Sequence, residues 1–270
     1  SIYGDLKKVV LSTYLYTLMF IDTHTHLYSE EFNHDRSQII KKAIGAGVKK
    51  LFLPNIDSTS IEGMLQLEKE YPENCFPMMG LHPCSVNENV EQELKIVEEW
   101  LGKRKFCAVG EIGMDLYWDK TFFEQQKMAF QKQIDWALHY DLPIVIHCRD
   151  AFDEIFDVLA TNKKLPKGIF HCFSGNLEQA NKIIDLGFKL GIGGVVTFKN
   201  SGLDKVVEQL DMQHLVLETD SPYLAPVPFR GKRNESSYLM MVAEKVAQLK
   251  NSTIAEVAEI TTKNAEEIFN

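Results

Sequence analysis

Short apolar runs alternate with longer amphipathic stretches along most of the chain. There are eight such runs: LMFID (18–22), KLFLPN (50–55), CFPMMG (75–80), FCAVGEIG (106–113), PIVIHC (143–148), GIFHCF (168–173), KLGIGG (189–194) and LVLETD (215–220). Between the runs, apolar residues recur at helical spacing, as Phe123, Phe130, Ile134 and Leu138 do within 121–140. This alternation predicts parallel strands joined by crossover helices, with the apolar stripe of each helix facing the sheet.

The number of strand–helix units predicts the fold. Eight units match an α/β protein of the (β/α)8 TIM-barrel type, and we expect residues 19–270 to form it as a single domain. Two final helices, about 236–249 and 253–268, close the chain. A doubly wound open sheet is the alternative, but no early strand is followed by a Gly-x-Gly-x-x-Gly turn, and GIGG comes too late.

The N-terminal residues resemble a secretory signal, because Lys7 and Lys8 precede the run VVLSTYLYTLMFI. No small-x-small cleavage site follows, and the run is too short to span a bilayer. Cleavage after Ile21 would also remove the first strand. We therefore predict that residues 1–18 are an N-terminal extension, with Met19 as a candidate native start.

The net charge and the cysteine content restrict the possible binding partners and the cellular compartment. The net charge of −9 argues against a broad cationic face, so any phosphate contacts require a local cluster or bound cations. The five cysteines include no Cys-x-x-Cys pair, which favours a reducing compartment over a disulfide framework. We predict a cytoplasmic protein with no membrane association and no obligate protein partner.

Polar residues end most of the apolar runs. Five of the eight histidines lie within or just beyond a run, together with four acidic residues, and the set is Asp22, His24, His26, His82, Glu111, His147, His171, Glu218 and Asp220. The carboxyl ends of parallel strands meet at one face of a barrel. A single histidine at a strand end is more often a polar cap, but this many polar groups in an apolar mouth require a compensating cation.

The residue types indicate the kind of cation. Imidazole and carboxylate ligands suit Zn²⁺, Mn²⁺ or a similar ion. Because the candidate ligands exceed what one tetrahedral ion needs, we predict two ions bridged by a carboxylate. Residues alternate sides along a strand, so His24 and His26 point the same way, with Asp22 beneath them. The same alternation turns Cys148 and Cys172 away from the mouth, toward the helices, as inert packing residues.

Seven motifs in a fixed order resemble one known family. They are DTHTHL, GLHP, GEIGMD, IHCRDA, HCFSG, LETDSPYLAP and RGKRNE, and they run from about Phe20 to the chain's end. Together they resemble the TatD-type metal-dependent deoxyribonucleases of the amidohydrolase superfamily. Two positions differ from the usual pattern: Met114 stands where Leu is common, and Ser236 replaces a frequent Pro. Neither is a candidate ligand.

The resemblance implies a ligand set and an activity. The implied metal ligands are His24, His26, Glu111, His147, His171 and Asp220, and the implied activity is hydrolysis of DNA, at single strands or 3′ ends. Mg²⁺ is the expected ion for this activity, with Zn²⁺ or Mn²⁺ as alternatives. Many superfamily members that cleave amides have a carbamylated lysine where this strand has Glu111.

We assign roles within this site as hypotheses. One ion is held by His24, His26, Glu111 and Asp220, and the other by Glu111, His147 and His171. Asp220 also accepts a proton from the attacking water. Glu218 orients a ligand or water from outside the ligand set.

Other polar residues are candidates for substrate binding, each with a structural alternative. His82 binds the scissile phosphate or donates to the leaving group, or else caps the turn before Pro83. Arg149 grips phosphate, or pairs with Asp150 or Asp153. The cations Arg230, Lys232 and Arg233 clamp the substrate backbone, or form a solvated loop. Tyr117 and Trp118 stack bases, or pack in the core or rim.

Two other functions remain open. The same pair of ions would support hydrolysis of an ester or amide, including removal of a D-amino acid from tRNA. A non-catalytic metal or nucleic-acid binding module is the third possibility, which the completeness of the ligand set disfavours.

Overall fold

The computed structural model describes residues 18–270, so the predicted N-terminal extension lies outside the described residues except for Leu18. The strands are β1 (Phe20–Asp22), β2 (Val48–Leu53), β3 (Cys75–Pro77), β4 (Val109–Asp115), β5 (Ile144–Arg149), β6 (Gly168–Phe170), β7 (Lys189–Ile192) and β8 (Leu215–Leu217). The helices are α1 (Arg36–Gly45), α2 (Ile61–Glu70), α3 (Val90–Lys103), α4 (Phe123–His139), α5 (Phe152–Ala160), α6 (Leu177–Asp185), α7 (Leu203–Gln209), α8 (Leu239–Leu249) and α9 (Ile254–Phe269). Each strand falls within or overlaps one of the eight predicted runs.

The strands pair in parallel and in chain order. Strands β1 to β3 form one group and β4 to β8 another. Met79, just after β3, bridges to Val109 of β4. At the other seam, the amide and hydroxyl of Thr23 donate to the carbonyl of Leu217 at 3.1 and 2.9 Å. The prediction of a single-domain (β/α)8 barrel is confirmed, and the open-sheet alternative is wrong.

Helix packing follows the apolar periodicity of the sequence. In α4, Phe130 and Ile134 are fully buried, while Phe123 and Leu138 pack on the edge of the same core. Helix α9 covers the end of the barrel where the strands begin, because its Ala265 and Ile268 join the inward-facing residues of the strands in one apolar cluster. The open end of the barrel is therefore the one where the strands finish.

Within residues 18–270, no helix is both long enough and apolar enough to cross a membrane.

Candidate metal centre

Glu111 lies at the centre of the open end, and its two carboxylate oxygens face different histidines. Its Oε2 is 3.0 Å from Nε2 of His24 and 3.7 Å from Nε2 of His26. Its Oε1 is 2.8 Å from Nε2 of His171 and 2.9 Å from Nδ1 of His147. One carboxylate thus connects two groups of imidazoles, which is the arrangement expected of a bridging ligand.

Asp220 completes the first of these groups. Its Oδ1 lies 3.2 Å from Nε2 of His26 and 3.6 Å from Nε2 of His24. The backbone amide of Asp220 donates to the carbonyl of His24 at 2.8 Å, which ties the end of β8 to the end of β1. The structure therefore brings together all six residues of the predicted ligand set.

The donor atoms fit a divalent cation. Three groups of three residues each present donor atoms within 4.8 Å of one another: His24 with His171 and Asp220; His24 with His26 and Glu111; His82 with Glu111 and His147. These groups contain only imidazoles and carboxylates. Among the described residues, the buried atoms His24 Nδ1, His171 Nδ1 and Glu218 Oε2 have no hydrogen-bond partner. Unpartnered buried polar atoms are uncommon in folded proteins, and all three belong to residues in or beside the candidate ligand set.

His24 and His171 stack face to face, with ring centroids 3.7 Å apart and an interplanar angle of 7°. Burial and the charge of His171 lower the pKa of His24, which keeps that ring neutral and able to bind a metal. Burial would also lower the pKa of His171, but the carboxylates of Glu111 and Glu218 outweigh it and hold the pKa well above its ordinary value. A metal at His171 must therefore displace a proton.

The ionisation of Glu111 depends on its neighbours. Burial alone would raise its pKa, but the charges of His171, His82 and His24 and the hydrogen bond with His147 hold the pKa well below its ordinary value. Glu111 is thus an ionised carboxylate at neutral pH although only 1% of its surface is exposed. This state is the one a metal bridge needs.

His82 faces the same centre while also capping a turn. Its Nδ1 accepts the amide proton of Cys84 at 2.9 Å. A neutral His82 therefore carries its proton on Nε2, which lies 3.2 Å from Oε1 of Glu111. The tautomer, inferred from this hydrogen bond, makes His82 a hydrogen-bond donor to the site rather than a metal ligand. The structure therefore shows the predicted turn cap, and a role of His82 toward phosphate or the leaving group stays a prediction.

Asp115 is a site residue that the sequence reasoning missed. Its Oδ2 lies 2.7 Å from Nε2 of His147, which leaves Nδ1 of that ring facing Glu111. Burial would raise the pKa of Asp115, but the hydrogen bond and charge of His147 lower it to about 2. The available signal was the motif GEIGMD, since Asp115 lies four positions after Glu111 and so on the same face of β4.

Glu218 lies beside the centre, as predicted, and holds His171. Its Oε1 accepts the amide of Cys172 at 2.6 Å and lies 3.4 Å from Nδ1 of His171. Its Oε2 lies against Gly191, where an added Cβ would be only 2.3 Å away. The missing side chain in β7 therefore leaves the space that Glu218 occupies.

Asp22 supports the site from below and does not face the other carboxylates. Its Oδ1 accepts the amides of His24 and Thr219 at 3.2 and 3.0 Å, and its Oδ2 accepts the Thr219 hydroxyl at 2.5 Å. Asp22 thus joins the ends of β1 and β8 beneath the histidines.

The expectation that the two cysteines beside the site pack away from the mouth holds in part, since Cys148 packs against the hydrophobic core. Cys148 and Cys172 both border the cavity at the barrel mouth instead of lying wholly among the helices. Cys172 has a φ of +47°, which interrupts the alternation of sides after β6. Burial raises the pKa of the Cys148 thiol to about 12, so this group is not a thiolate at neutral pH.

The mouth cavity has a volume of about 640 Å³ and an aromatic rim. Trp118 and Tyr117 are 72% and 50% exposed, so the alternative that they pack in the core is wrong. The guanidinium of Arg149 lies 3.8 Å from the Tyr117 ring centroid and 5.3 Å from that of Trp118. In the described part of the chain, Arg149 makes no ion pair, so the predicted alternative of pairing with Asp150 or Asp153 is also wrong.

The three cations of the basic loop, Arg230, Lys232 and Arg233, differ in whether their charge is paired. Arg233 donates to both carboxylate oxygens of Asp35, at 2.9 and 2.6 Å, and to the carbonyl of Glu31. Its charge is neutralised, so the prediction that Arg233 clamps substrate is wrong. Arg230 stacks 4.0 Å from the Phe198 ring, and Lys232 is exposed. These two remain candidates for contacting phosphate.

Comparison with known proteins decides the family. A family model described as TatD related DNase matches residues 21–270. The chain belongs to this family. It is 38% identical over 253 residues to a Bacillus subtilis protein named as an uncharacterized metal-dependent hydrolase, YabD, covering 93% of this chain and 99% of the relative. It is 31% identical over 258 residues to a Yersinia pseudotuberculosis protein named 3′-5′ ssDNA/RNA exonuclease TatD, with coverage of 92% and 98%.

Solved structures agree on this TatD fold. The crystal structure of the TatD homologue YjjV from Escherichia coli matches with a TM-score of 0.87 at 32% identity, covering 93% of this chain and 98% of that one. An amidohydrolase from Saccharomyces cerevisiae shares the fold with a TM-score of 0.79 at 20% identity. The predicted family and the predicted enzyme class, a metal-dependent hydrolase, are confirmed.

Proposed function

We propose that this hydrolase cleaves phosphodiester bonds in single-stranded DNA, releasing nucleotides from the 3′ end with two divalent cations. The observation that carries the proposal is the position of Glu111, whose two oxygens face separate groups of histidines. The Yersinia relative named as a 3′-5′ exonuclease supports the substrate class and the polarity.

The ligand set divides into two groups around Glu111. His24, His26, Glu111 and Asp220 would hold one ion, and Glu111, His147 and His171 would hold the other. Mg²⁺ is the proposed ion, and Zn²⁺ or Mn²⁺ suit the imidazole donors equally well. When bound, a pair of divalent cations lowers the pKa of water and neutralises the charge of the phosphodiester.

Asp220 is positioned to accept the proton of the attacking water. Burial would raise its pKa, but the hydrogen bond with His26 and the charges of His171 and His24 lower it, so the carboxylate is ionised at neutral pH. Its side chain is 14% exposed and lines the mouth cavity, where a substrate would lie. Ionisation and access are the two properties that a general base requires.

His82 supplies a hydrogen-bond donor on the opposite side of Glu111. Its Nε2 proton points into the centre because Nδ1 is occupied by the Cys84 amide. We assign this proton to a phosphate oxygen or to the leaving group. Glu218 acts through His171, since its Oε1 lies 3.4 Å from Nδ1 of that ring.

The walls of the mouth cavity suit nucleotides. Trp118 borders one part of the cavity, and Tyr223 and Leu224, which the sequence reasoning did not select, border another. Tyr223 is 53% exposed and its ring lies 5.9 Å from that of His26. Exposed aromatic rings beside cations are typical of single-strand binding, because bases stack on them without regard to sequence.

Substitution of Asp220 by Asn tests the assignment. We expect the rate of mononucleotide release from single-stranded DNA to fall by about 10³-fold, the range for loss of a general base, while circular dichroism stays unchanged. Asp211→Asn is the matched control, since Asp211 caps a turn before β8 and an asparagine keeps that cap. A well-folded Asp220→Asn protein with wild-type activity would rule out this role.

The same assay separates the alternative substrate. Metal-free protein is supplied separately with Mg²⁺, Mn²⁺ and Zn²⁺ and incubated with single-stranded DNA, with RNA and with tRNA carrying a D-amino acid. Mononucleotide release supports the proposed function. Amino-acid release alone would show that the centre acts on a carboxylic ester instead.

A further inference from the structure

A second cavity adjoins the mouth cavity beyond the ends of β5 and β6. It has a volume of about 650 Å³, close to that of the mouth cavity, and both volumes lie within the range of small-molecule sites. The two cavities share Cys148, Arg149 and Ser174. The two cavities therefore lie side by side, with Arg149 and Ser174 at the junction, and together we call them the groove.

The junction offers donors that no other described residue uses. Arg149 is exposed and packs against Tyr117, with its guanidinium carbon 3.8 Å from the ring centroid, and its side-chain N–H groups make no hydrogen bond within residues 18–270. Ser174 is exposed, and its hydroxyl makes no hydrogen bond within residues 18–270. It belongs to the motif HCFSG, of which the metal centre uses only His171. A planar cation and a hydroxyl together suit a phosphate.

The interior of the second cavity suits a nucleoside better than a phosphate. Phe152 and Val206 form an apolar part of its wall, and Asp150 adds a carboxylate that would repel an anion. The N-terminus of α6 also borders it but is already capped, since Asn176 and Gln179 satisfy each other's backbone amides. The position for an anion is therefore the junction, and a base and sugar would occupy the space beyond it.

We propose that the second cavity binds the nucleotide next to the scissile bond, with that nucleotide's phosphate on Arg149 and Ser174. This inference rests on the proposed nuclease function and adds that the enzyme recognises at least two consecutive nucleotides. The metal centre determines which bond is cleaved, and the groove determines the path of the strand.

A charge placed at the junction tests the proposal. Ser174→Asp puts a carboxylate where the second phosphate would lie, and Ser174→Asn is a neutral control of nearly the same size. Two substrates are compared: a thymidine tetranucleotide, and thymidine 5′-(4-nitrophenyl phosphate), which has only the scissile phosphate. We expect Ser174→Asp to lower the ratio of kcat/KM for the tetranucleotide to that for the small diester about tenfold, mainly through KM, because a phosphate contact is lost. For Ser174→Asn the ratio should change less than about twofold.

Binding without catalysis gives an independent readout. Fluorescence anisotropy of a labelled thymidine tetranucleotide with metal-free protein should show about tenfold weaker binding for Ser174→Asp and for Arg149→Gln. If wild type cleaves the tetranucleotide and Ser174→Asp leaves both the ratio and the binding unchanged, this inference is overturned while the nuclease function stands. If the wild-type protein neither cleaves nor binds nucleic acid, both this inference and the proposed nuclease function are overturned.

Discussion

At the scale of single residues, the second contacts of His82 and His147 determine which nitrogen of each ring faces the centre. His82 is turned by the Cys84 amide and His147 by Asp115. These partners bind no metal themselves, yet they fix tautomers, which is why carboxylates behind metal-binding histidines affect affinity. The site therefore depends on Asp115 and the Cys84 amide as well as on the six predicted ligands.

Replacing Asp115 by Asn should weaken metal binding. The amide no longer favours a proton on Nε2 of His147, so Nδ1 is less often available on the side of Glu111. We expect one of the two ions to bind about 10 to 100 times more weakly, measured by calorimetric titration of metal-free protein with Mn²⁺. Asp135→Asn on the exposed face of α4 is the control. Equal affinities in the two variants would contradict the role of Asp115.

Asp22 should make stability depend on pH. Burial raises the pKa of Asp22 from 3.8 to about 7, although hydrogen bonds from Thr219, Ser236 and His24 oppose the shift. Between these values the folded chain keeps a proton that the unfolded chain has lost, so this residue reduces stability as pH rises from about 4 to about 7.

The comparison with Asp22→Asn isolates this effect. The free energy of unfolding of Asp22→Asn minus that of wild type should rise by on the order of 4 kcal/mol from pH 4 to pH 7 and then level off. Urea unfolding in the presence of EDTA measures it. A difference that is flat with pH, or that falls, would show that Asp22 is ionised in the fold.

At the scale of elements, the eight strands and their helices could be predicted from apolar periodicity, because that pattern is local. Strand alternation also predicted correctly that His147 and His171 face the mouth, and the position of Glu111 at the end of its strand placed it there too. It did not predict the side chosen by Cys172, since that residue leaves the strand conformation with a positive φ. Nor did it indicate that Arg233 pairs with Asp35, because the two lie far apart in sequence and meet only in the folded chain.

Strand β7 has a glycine at position 191, and the absence of a side chain there leaves room for Glu218. An alanine at position 191 would place its Cβ 2.3 Å from Oε2 of Glu218, so Gly191→Ala must displace that buried carboxylate. We expect a loss of about 1 to 3 kcal/mol in unfolding free energy, together with reduced activity through His171. Gly45→Ala at the end of α1 is the matched control, since no atom lies within 4 Å of its Cβ. It should be stabilising by about 0.5 kcal/mol. Chemical denaturation with equal losses in both variants would contradict this account.

At the scale of the whole molecule, the candidate phosphate-binding cations lie at the barrel mouth although the protein is acidic. The net charge is −9, yet Arg149, Arg230 and Lys232 are all exposed on loops or strand ends at the barrel mouth. The barrel end opposite them is covered by α9. The family and the fold could be predicted from ordered motifs. The second cavity could not, because it forms where loops after four different strands meet.

The most direct test of the central claim is a titration of activity with metal equivalents. Metal-free wild-type protein and Glu111→Gln are given increasing Mn²⁺, and nucleotide release from a single-stranded oligonucleotide is followed. A bridge at Glu111 predicts that wild-type activity rises until two equivalents per chain are bound, and that Glu111→Gln stays at least about 10³-fold less active at every point. Full activity at one equivalent, or wild-type activity in Glu111→Gln, would contradict a carboxylate-bridged pair of ions.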